Sequence, residues 1–435
     1  MRRPPLIAPL RRRGFRRLAL SYAVNELGDW MGIVALSVLV YDQTGSAFAT
    51  AVLFLGTGFL PAILAPVLVA RVERPPPRYV LPTLYAGEAA AFGGLVLFAS
   101  HFSLTAVFIL ATLDGALALT GRALTRAVAA AMLEPSGELR AGNAILNLAF
   151  TGGAAIGPAI AGLVVAGFGV EAALLLDAVS FYAIAWILLT AGALPQATPD
   201  PGNTRERLRA GLAYVSEHAR LRHLLIAQGL AFVFFSAVIP IEVIYAKETL
   251  GAGDAGYGLL LASWGAGMVL GSVVFAMLRR ASLPYLLFFS TITIGLGYLG
   301  MAVAPVLATA CLAAVVGGAG NGVQWVAIVS AVQELTADNM QARVMSVLES
   351  IGAAMPGVGY LLGGLIATAD SPRATFALAG AGVLAIVAIM APILGSKWPD
   401  HVATSDSYPL DGDNDLVLEL LPGSRPVQSD SEVLP

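Results

Sequence analysis

Residues 281–333, ASLPYLLFFSTITIGLGYLGMAVAPVLATACLAAVVGGAGNGVQWVAIVSAVQ, run for 53 positions without a charged side chain. One membrane crossing needs about 20 predominantly apolar residues, so the stretch must hold two spans, with the turn near Pro305. Working outward, 28 uncharged residues lie between Asp42 and Arg71, and 30 lie between Arg140 and Glu171. The chain is 57% hydrophobic and 12% charged, against roughly 25% charged in a soluble globular protein. It is an integral membrane protein with an all-α fold, because a hydrocarbon core accepts only structures whose backbone hydrogen bonds close within themselves.

Proline, glycine and charge divide the apolar blocks into twelve transmembrane helices. They are expected near 18–41, 46–70, 79–99, 104–127, 142–168, 171–194, 223–246, 256–278, 283–303, 306–332, 344–368 and 374–395. Most connectors are very short, so consecutive helices should be antiparallel neighbours. The exception is residues 195–222, a charged linker that separates two bundles of six. The expected organisation is a basic N-terminus (1–17), a six-helix bundle (18–194), the linker (195–222), a second bundle (223–395) and an acidic disordered tail (396–435).

Orientation follows from the bases. With the N-terminus inside, 22 of the 25 Lys and Arg fall on the inner side, Lys247 and Arg373 fall outside, and Arg122 lies within a span. This predicts cytoplasmic termini in a multi-pass inner (plasma) membrane protein.

Several chemistries find no motif. RRGF at 12–15 reads as a basic flank rather than an export signal, since eleven further spans follow. Neither lysine, Lys247 nor Lys397, follows a glycine, so no Walker A loop exists. Cys311 is single, the four histidines form no zinc pattern, and DGDND at 411–415 lacks the glycine and glutamate of a calcium loop. An enzyme, a metal, a cofactor or a nucleic-acid partner is therefore not expected, and a monomer is.

The two halves resemble each other. LRAGNAILNLAFTGGAAIGPAIAGLV from Leu139 aligns with MQARVMSVLESIGAAMPGVGYLLGGLI from Met340, and FRRLAL at 15 aligns with LRHLLI at 221. Parallel six-helix pseudo-repeats of this kind place a central cavity between the halves at the midplane.

On GAAIGPAIAG (153–162), NELGDW (25), GNAILN (142), LLLDAVSF (174), GYGLLLASWGAG (256) and QARVMSVLES (341), residues 15–395 resemble the major facilitator superfamily. The likeness is to its efflux branch, which includes the macrolide exporters and the enterobactin exporter. The resemblance implies a secondary transporter that exports a hydrophobic or amphipathic small molecule in exchange for protons. It also matches GAAIGPAIAG to the antiporter motif of the fifth helix, carried here by Gly153, Gly157, Pro158 and Gly162. Gly153, Gly157 and Ala161 repeat every four residues and make a smooth stripe for close helix approach, and Pro158 removes a backbone hydrogen bond, which suits a gate as well as ordinary packing. The family's inner-gate loop between the second and third helices has lost its Asp here, leaving Arg71, Glu73 and Arg74. A lipid or lysolipid flippase of the same fold, and a non-transporting sensor or partner subunit, are the alternatives.

Charge within the spans marks the site. At 1.5 Å per residue, Asp29 lies near the middle of the bilayer and Glu26 one turn towards the inner side, on the same helix face. Arg122 and Asp114 on the fourth helix fall at matching depths. Intramembrane charges need a partner or a water-filled cavity, and carboxylates beside one fixed guanidinium can exchange a proton. Asp29, Glu26, Arg122 and Asp114 are therefore the expected proton-coupling network. Glu88 and Asp177 are weaker candidates, and Glu242 and Glu349 fall near span ends. Asn25, Asn147, Gln228, Trp264, Asn321, Gln324 and Trp325 are the expected cavity lining, mixing amides with aromatic faces as ligand pockets do.

Overall fold

The computed structural model describes residues 7–72, 75–190, 194–195, 204–278 and 281–395. Within them, twelve helices are long and apolar enough to cross a membrane. In chain order these are α1 (Arg13–Thr44), α2 (Ala47–Val69), α3 (Pro77–Ser100), α4 (Leu104–Ser136), α5 (Leu139–Phe168) and α6 (Val170–Leu189). The second six are α7 (Ala219–Thr249), α8 (Gly253–Met277), α9 (Leu283–Val303), α10 (Leu307–Glu334), α11 (Gln341–Ala369) and α12 (Pro372–Met390). Several run past their apolar blocks: α1 begins at Arg13 rather than 18, and α4 reaches Ser136 rather than 127. Hydrocarbon thickness sets the apolar length, whereas the backbone ladder continues wherever the flanking residues are good helix formers. The acidic tail and residues 73–74 lie outside the described residues.

Local chemistry sets the turns. Helix α1 ends at Gly45, whose φ of 59° lets its N–H reach Tyr41 O at 2.7 Å; this left-handed cap favours glycine. One residue later Ser46 caps α2 by accepting from Ala49 N at 3.2 Å. At the end of α9, Arg373 donates to the carbonyls of Ala302 (2.8 Å) and Ala304 (2.7 Å), satisfying acceptors that the helix leaves open. Two π-helical turns interrupt the ladders, Leu55–Phe59 in α2 and Tyr245–Thr249 in α7; such turns are common at functional sites.

In the first half α1 packs on α5 and α6, and α3 on α4 and α6; in the second, α10 packs on α8 and α9, and α12 on α7 and α9. The halves meet along two seams, α5 against α8 and α2 against α11. Glycine makes the first seam possible. A Cβ on Gly258 would stand 2.3 Å from Pro158 O, and one on Gly265 would stand 2.3 Å from Ala154 O. The helices thus cross backbone to backbone, in the small-residue manner of membrane packing. Leu97, Phe168, Trp186, Met277 and Val303 are each more than two-thirds exposed, so the perimeter is the apolar surface a bilayer would cover.

Between the bundles, Thr204–Glu217 of the linker forms a helix. It lies on the start of α11: Gly211 abuts the Arg343 backbone, and Tyr214 Oη accepts from Ala337 N at 3.2 Å. This defines a linker end of the molecule. The opposite, far end carries Asp42 and Lys247.

Candidate functional site

A cavity of about 340 Å³ lies between the halves, lined by α1, α2, α3 and α4 on one side and by α7, α8 and α11 on the other. Its charged wall comes from α1 and α4. Arg122 Nη2 donates to Asp29 Oδ2, and its Nε sits 3.5 Å from Glu26 Oε1. Asn25 Nδ2 donates to the same Asp29 oxygen at 3.0 Å. One guanidinium thus spans two carboxylates three positions apart on α1, which helical geometry stacks on one face. Asp29 and Arg122 line the cavity, whereas Glu26, 1% exposed, lies behind them against Gly153 of α5. Asp114 also lines the cavity, and its Oδ1 finds no hydrogen-bond partner among the described residues.

The stripe on α5 has two contacts. Gly153 and Gly157 receive Glu26 and Trp30 of α1, and Gly162 meets Gly258 of α8. Pro158 lies inside the helix with its carbonyl against Gly258. Two faces of α5 therefore share the work: Gly153 and Gly157 receive the acid-bearing helix α1, while Ala154, Pro158 and Gly162 let the halves touch. Arg71 lies exposed in the helical turn that carries α2 on to Val72; Glu73 and Arg74 fall outside the described residues.

The amides and tryptophans are more scattered. Asn25 serves Asp29 directly. Gln324 is buried between α9 and α10, donating to Thr291 Oγ1 at 3.3 Å. Trp264 stacks on Tyr298 inside the second half, with centroids 5.0 Å apart. Trp325 is exposed, with its ring 6.4 Å from that of Phe232; Asn147 is exposed, Gln228 buried and Asn321 half-buried. None of these six lines the cavity described above.

Other groups line it instead: Trp30, Phe54, Phe92, Glu242, Tyr257 and Tyr360 among them. Phe54 and Tyr360 face each other across the α2–α11 seam at 5.6 Å. Sequence reasoning set Glu242 near a span end because the apolar block closes at 246. Helix α7 continues through its π turn to Thr249, seven residues past Glu242. Glu88 and Asp177 lie deeper in the first half. Both Glu88 oxygens and Asp177 Oδ2 lack hydrogen bonds among the described residues, while Asp177 Oδ1 accepts from Ser180 Oγ at 3.3 Å.

Charged and polar side chains also join the halves at the far end. Lys247 Nζ contacts Asp42 Oδ1 at 2.5 Å and Asp254 Oδ1 at 2.8 Å, and the Tyr41 hydroxyl donates to Glu248. The signal was legible, since Lys247 is one of two lysines in the chain and stands apart from the other bases.

The geometry is that of a binding chamber between two bundles, and comparison with known proteins gives it a family. The chain is 29% identical over 395 residues to "Multidrug efflux pump Tap" of Mycobacterium tuberculosis, and equally to that of Mycobacterium bovis, covering 84% of this chain and 90% of the relative. Among solved structures, peptide transporter POT superposes with a TM-score of 0.72 at 14% identity, covering 88% of this chain and 95% of that one. The nucleoside transporter NupG superposes with a TM-score of 0.71 at 13% identity, covering 88% and 99%. These two likenesses show the fold alone. The family model of the transmembrane secretion effectors matches residues 5–419. With a match over nearly its whole length, this chain belongs to the transmembrane secretion effector family, a non-catalytic branch of major facilitator transporters that move small molecules across membranes.

Proposed function

We propose that this protein exports a hydrophobic or amphipathic small molecule, such as a drug, a siderophore or a secondary metabolite, in exchange for protons. The observation that carries this reading is the Arg122 guanidinium shared by Asp29 and Glu26 on the wall of a chamber between the halves. A proton taken by Asp29 cancels its attraction for Arg122 and leaves the guanidinium to Glu26. Proton binding thereby changes the charge and shape of the wall that a substrate touches. This couples the two without a covalent step, since a ligand shifts an equilibrium only through its different affinity for two states. The efflux pump with which the chain shares 29% identity supports export, as does the likeness to the macrolide and enterobactin exporters.

The reading includes an orientation. The basic N-terminus and linker face the cytoplasm of a bacterial cell, and the far end, closed by Lys247, faces outward. The chamber between the halves is then the substrate's site, and the protein works as a monomer by alternating access.

The test is a susceptibility panel in an efflux-deficient bacterial host, comparing empty vector, wild type and Asp29→Asn at matched membrane expression. Wild type should protect against some compounds and Asp29→Asn should not. Equal protection by the mutant would remove Asp29 from proton coupling. Protection by neither would turn attention to lipids.

A further inference from the structure

Glu242 stands opposite the charged wall and has no counter-ion there. It is buried to 7% exposure, lines the cavity from α7, and forms no ion pair or hydrogen bond with any described residue. The only base among the described lining residues is already engaged: Arg122 is held by Asp29 and approached by Glu26. Counting the lining alone, three acids (Asp29, Asp114, Glu242) face one base (Arg122). An acid buried in a membrane protein without a partner is costly, and such acids mark ligand or ion pathways.

We infer that the chamber selects organic cations, with Glu242 as the counter-charge on the second-half wall. The inference deepens the export reading, and rests on it for how the ligand leaves but not for how it binds. Three features converge on this chemistry. Carboxyl groups inside low-dielectric walls are favoured to ionise by a cation placed beside them and give an anion nothing, so the site discriminates between the two. Trp30, Tyr257 and Tyr360 present aromatic rings around the same space, and such faces attract a positive charge that has shed water. The cavity, about 340 Å³ and mostly apolar, matches an organic molecule of several rings better than a hydrated metal ion. Metal ligation is further disfavoured because no grouping of three or more His, Cys, Asp or Glu among the described residues is arranged to hold an ion.

The two walls then divide the work. On the first-half side Asp29, Glu26 and Arg122 form a closed network that a proton can reset, and Asp114 stands outside it. Glu242 is spared from that network and remains available to the ligand. A cation seated between Glu242 and Asp114 would touch both halves, so its binding is sensitive to their relative position.

Equilibrium binding of tritiated tetraphenylphosphonium to the full-length protein in nanodiscs tests this directly. Tetraphenylborate, of the same shape and opposite charge, and triphenylphosphine oxide, which is neutral, serve as competitors. Tetraphenylphosphonium should bind and tetraphenylborate should not displace it. Glu242→Gln should weaken phosphonium binding by about tenfold or more, and Glu242→Asp, which keeps the charge, by only about threefold. The oxide should bind wild type and Glu242→Gln alike. Displacement by borate as effective as by unlabelled phosphonium would overturn the inference, as would wild-type affinity in Glu242→Gln or no phosphonium binding at all. If Glu242→Gln does not fold, the charge ladder on wild type and the Glu242→Asp variant decide the matter. Charge-selective binding without uptake into inside-out vesicles would support cation recognition and overturn the export reading alone.

Discussion

The two six-helix halves share a plan and differ in what fills them. The first buries charge: Glu26, Asp29, Glu88, Asp114, Arg122 and Asp177 all lie within its spans. Rings pack in both halves, Tyr85 and Phe92 against Phe181 in the first, but the second packs its rings with Glu242 as its only buried charged residue among those described. Trp264 stacks on Tyr298, Phe235 lies 6.0 Å from Trp264, and Tyr245 packs on Phe376 at 4.6 Å while donating to Met301 O. Its one acid facing the chamber, Glu242, has no base. Repeats that begin alike can therefore specialise, one half towards handling charge and the other towards a stiff, apolar wall. The shared helix plan survives because both cores satisfy the same packing geometry with different side chains.

Four substitutions would break or sharpen this contrast. The largest effect should come from Arg122→Leu. Breaking a buried pair on one side leaves uncompensated charge, worth about 3–5 kcal/mol. The variant should melt well below wild type in fluorescence-monitored unfolding and lose transport. Adding Glu26→Gln and Asp29→Asn should restore the melting temperature but not transport. Were the single variant as stable as wild type, the charged core would not be a structural unit.

Next comes the seam. Gly258→Ala inserts a methyl where only 2.3 Å separates it from Pro158 O. Overpacking of this kind costs about 1–3 kcal/mol, and the halves should separate measurably between spin labels on α5 and α8. An unchanged distance with unchanged stability would mean that the seam has slack.

Trp264→Phe should cost less, about 1 kcal/mol, the worth of a well-placed aromatic pair beyond its area. Transport should persist, because the ring stands away from the chamber. Loss of transport at wild-type stability would show that the aromatic half does more than brace. Smallest of all is Lys247→Met, which frees Asp42 and Asp254 at the far rim. Exposed ion pairs are worth about 0–1 kcal/mol, so the expected result is a modest rise in labelling of a cysteine placed at the far end, with no change in melting.

The parts of the fold that depend on length were legible without a structure. Charge-free runs fixed the number of spans, and short connectors fixed their antiparallel order. Depth along a helix was legible too: 1.5 Å per residue is enough to bring residues of α1 and α4 to one level, and Arg122 does contact Asp29 and Glu26. Direction around a helix was not. Gln324, Trp264 and Asn147 sit at plausible depths, yet one points to α9, one into its own bundle and one is exposed away from the cavity lining. Nothing local separates these choices, since polar amides pack between membrane helices as readily as they line cavities. That Glu242 lines the cavity was not legible, for another reason. Its depth depends on where α7 stops, and a π turn that carries Lys247 and Glu248 prolongs the helix past the apolar block.

That same turn has a consequence for the setting in which the protein works. The closure at the far end rests on a lysine between two carboxylates, with the Asp42 side chain 45% exposed. The glycine seam beneath rests on backbone contacts that carry no net charge. Dissolved ions weaken the first and leave the second untouched, with an electrostatic range of about 10 Å at 0.1 M salt. In the alternating-access reading proposed above, the balance between closed and open forms is therefore tied to the ionic strength of the one compartment that the rim faces, and a salt step on that side alone becomes a handle on the cycle.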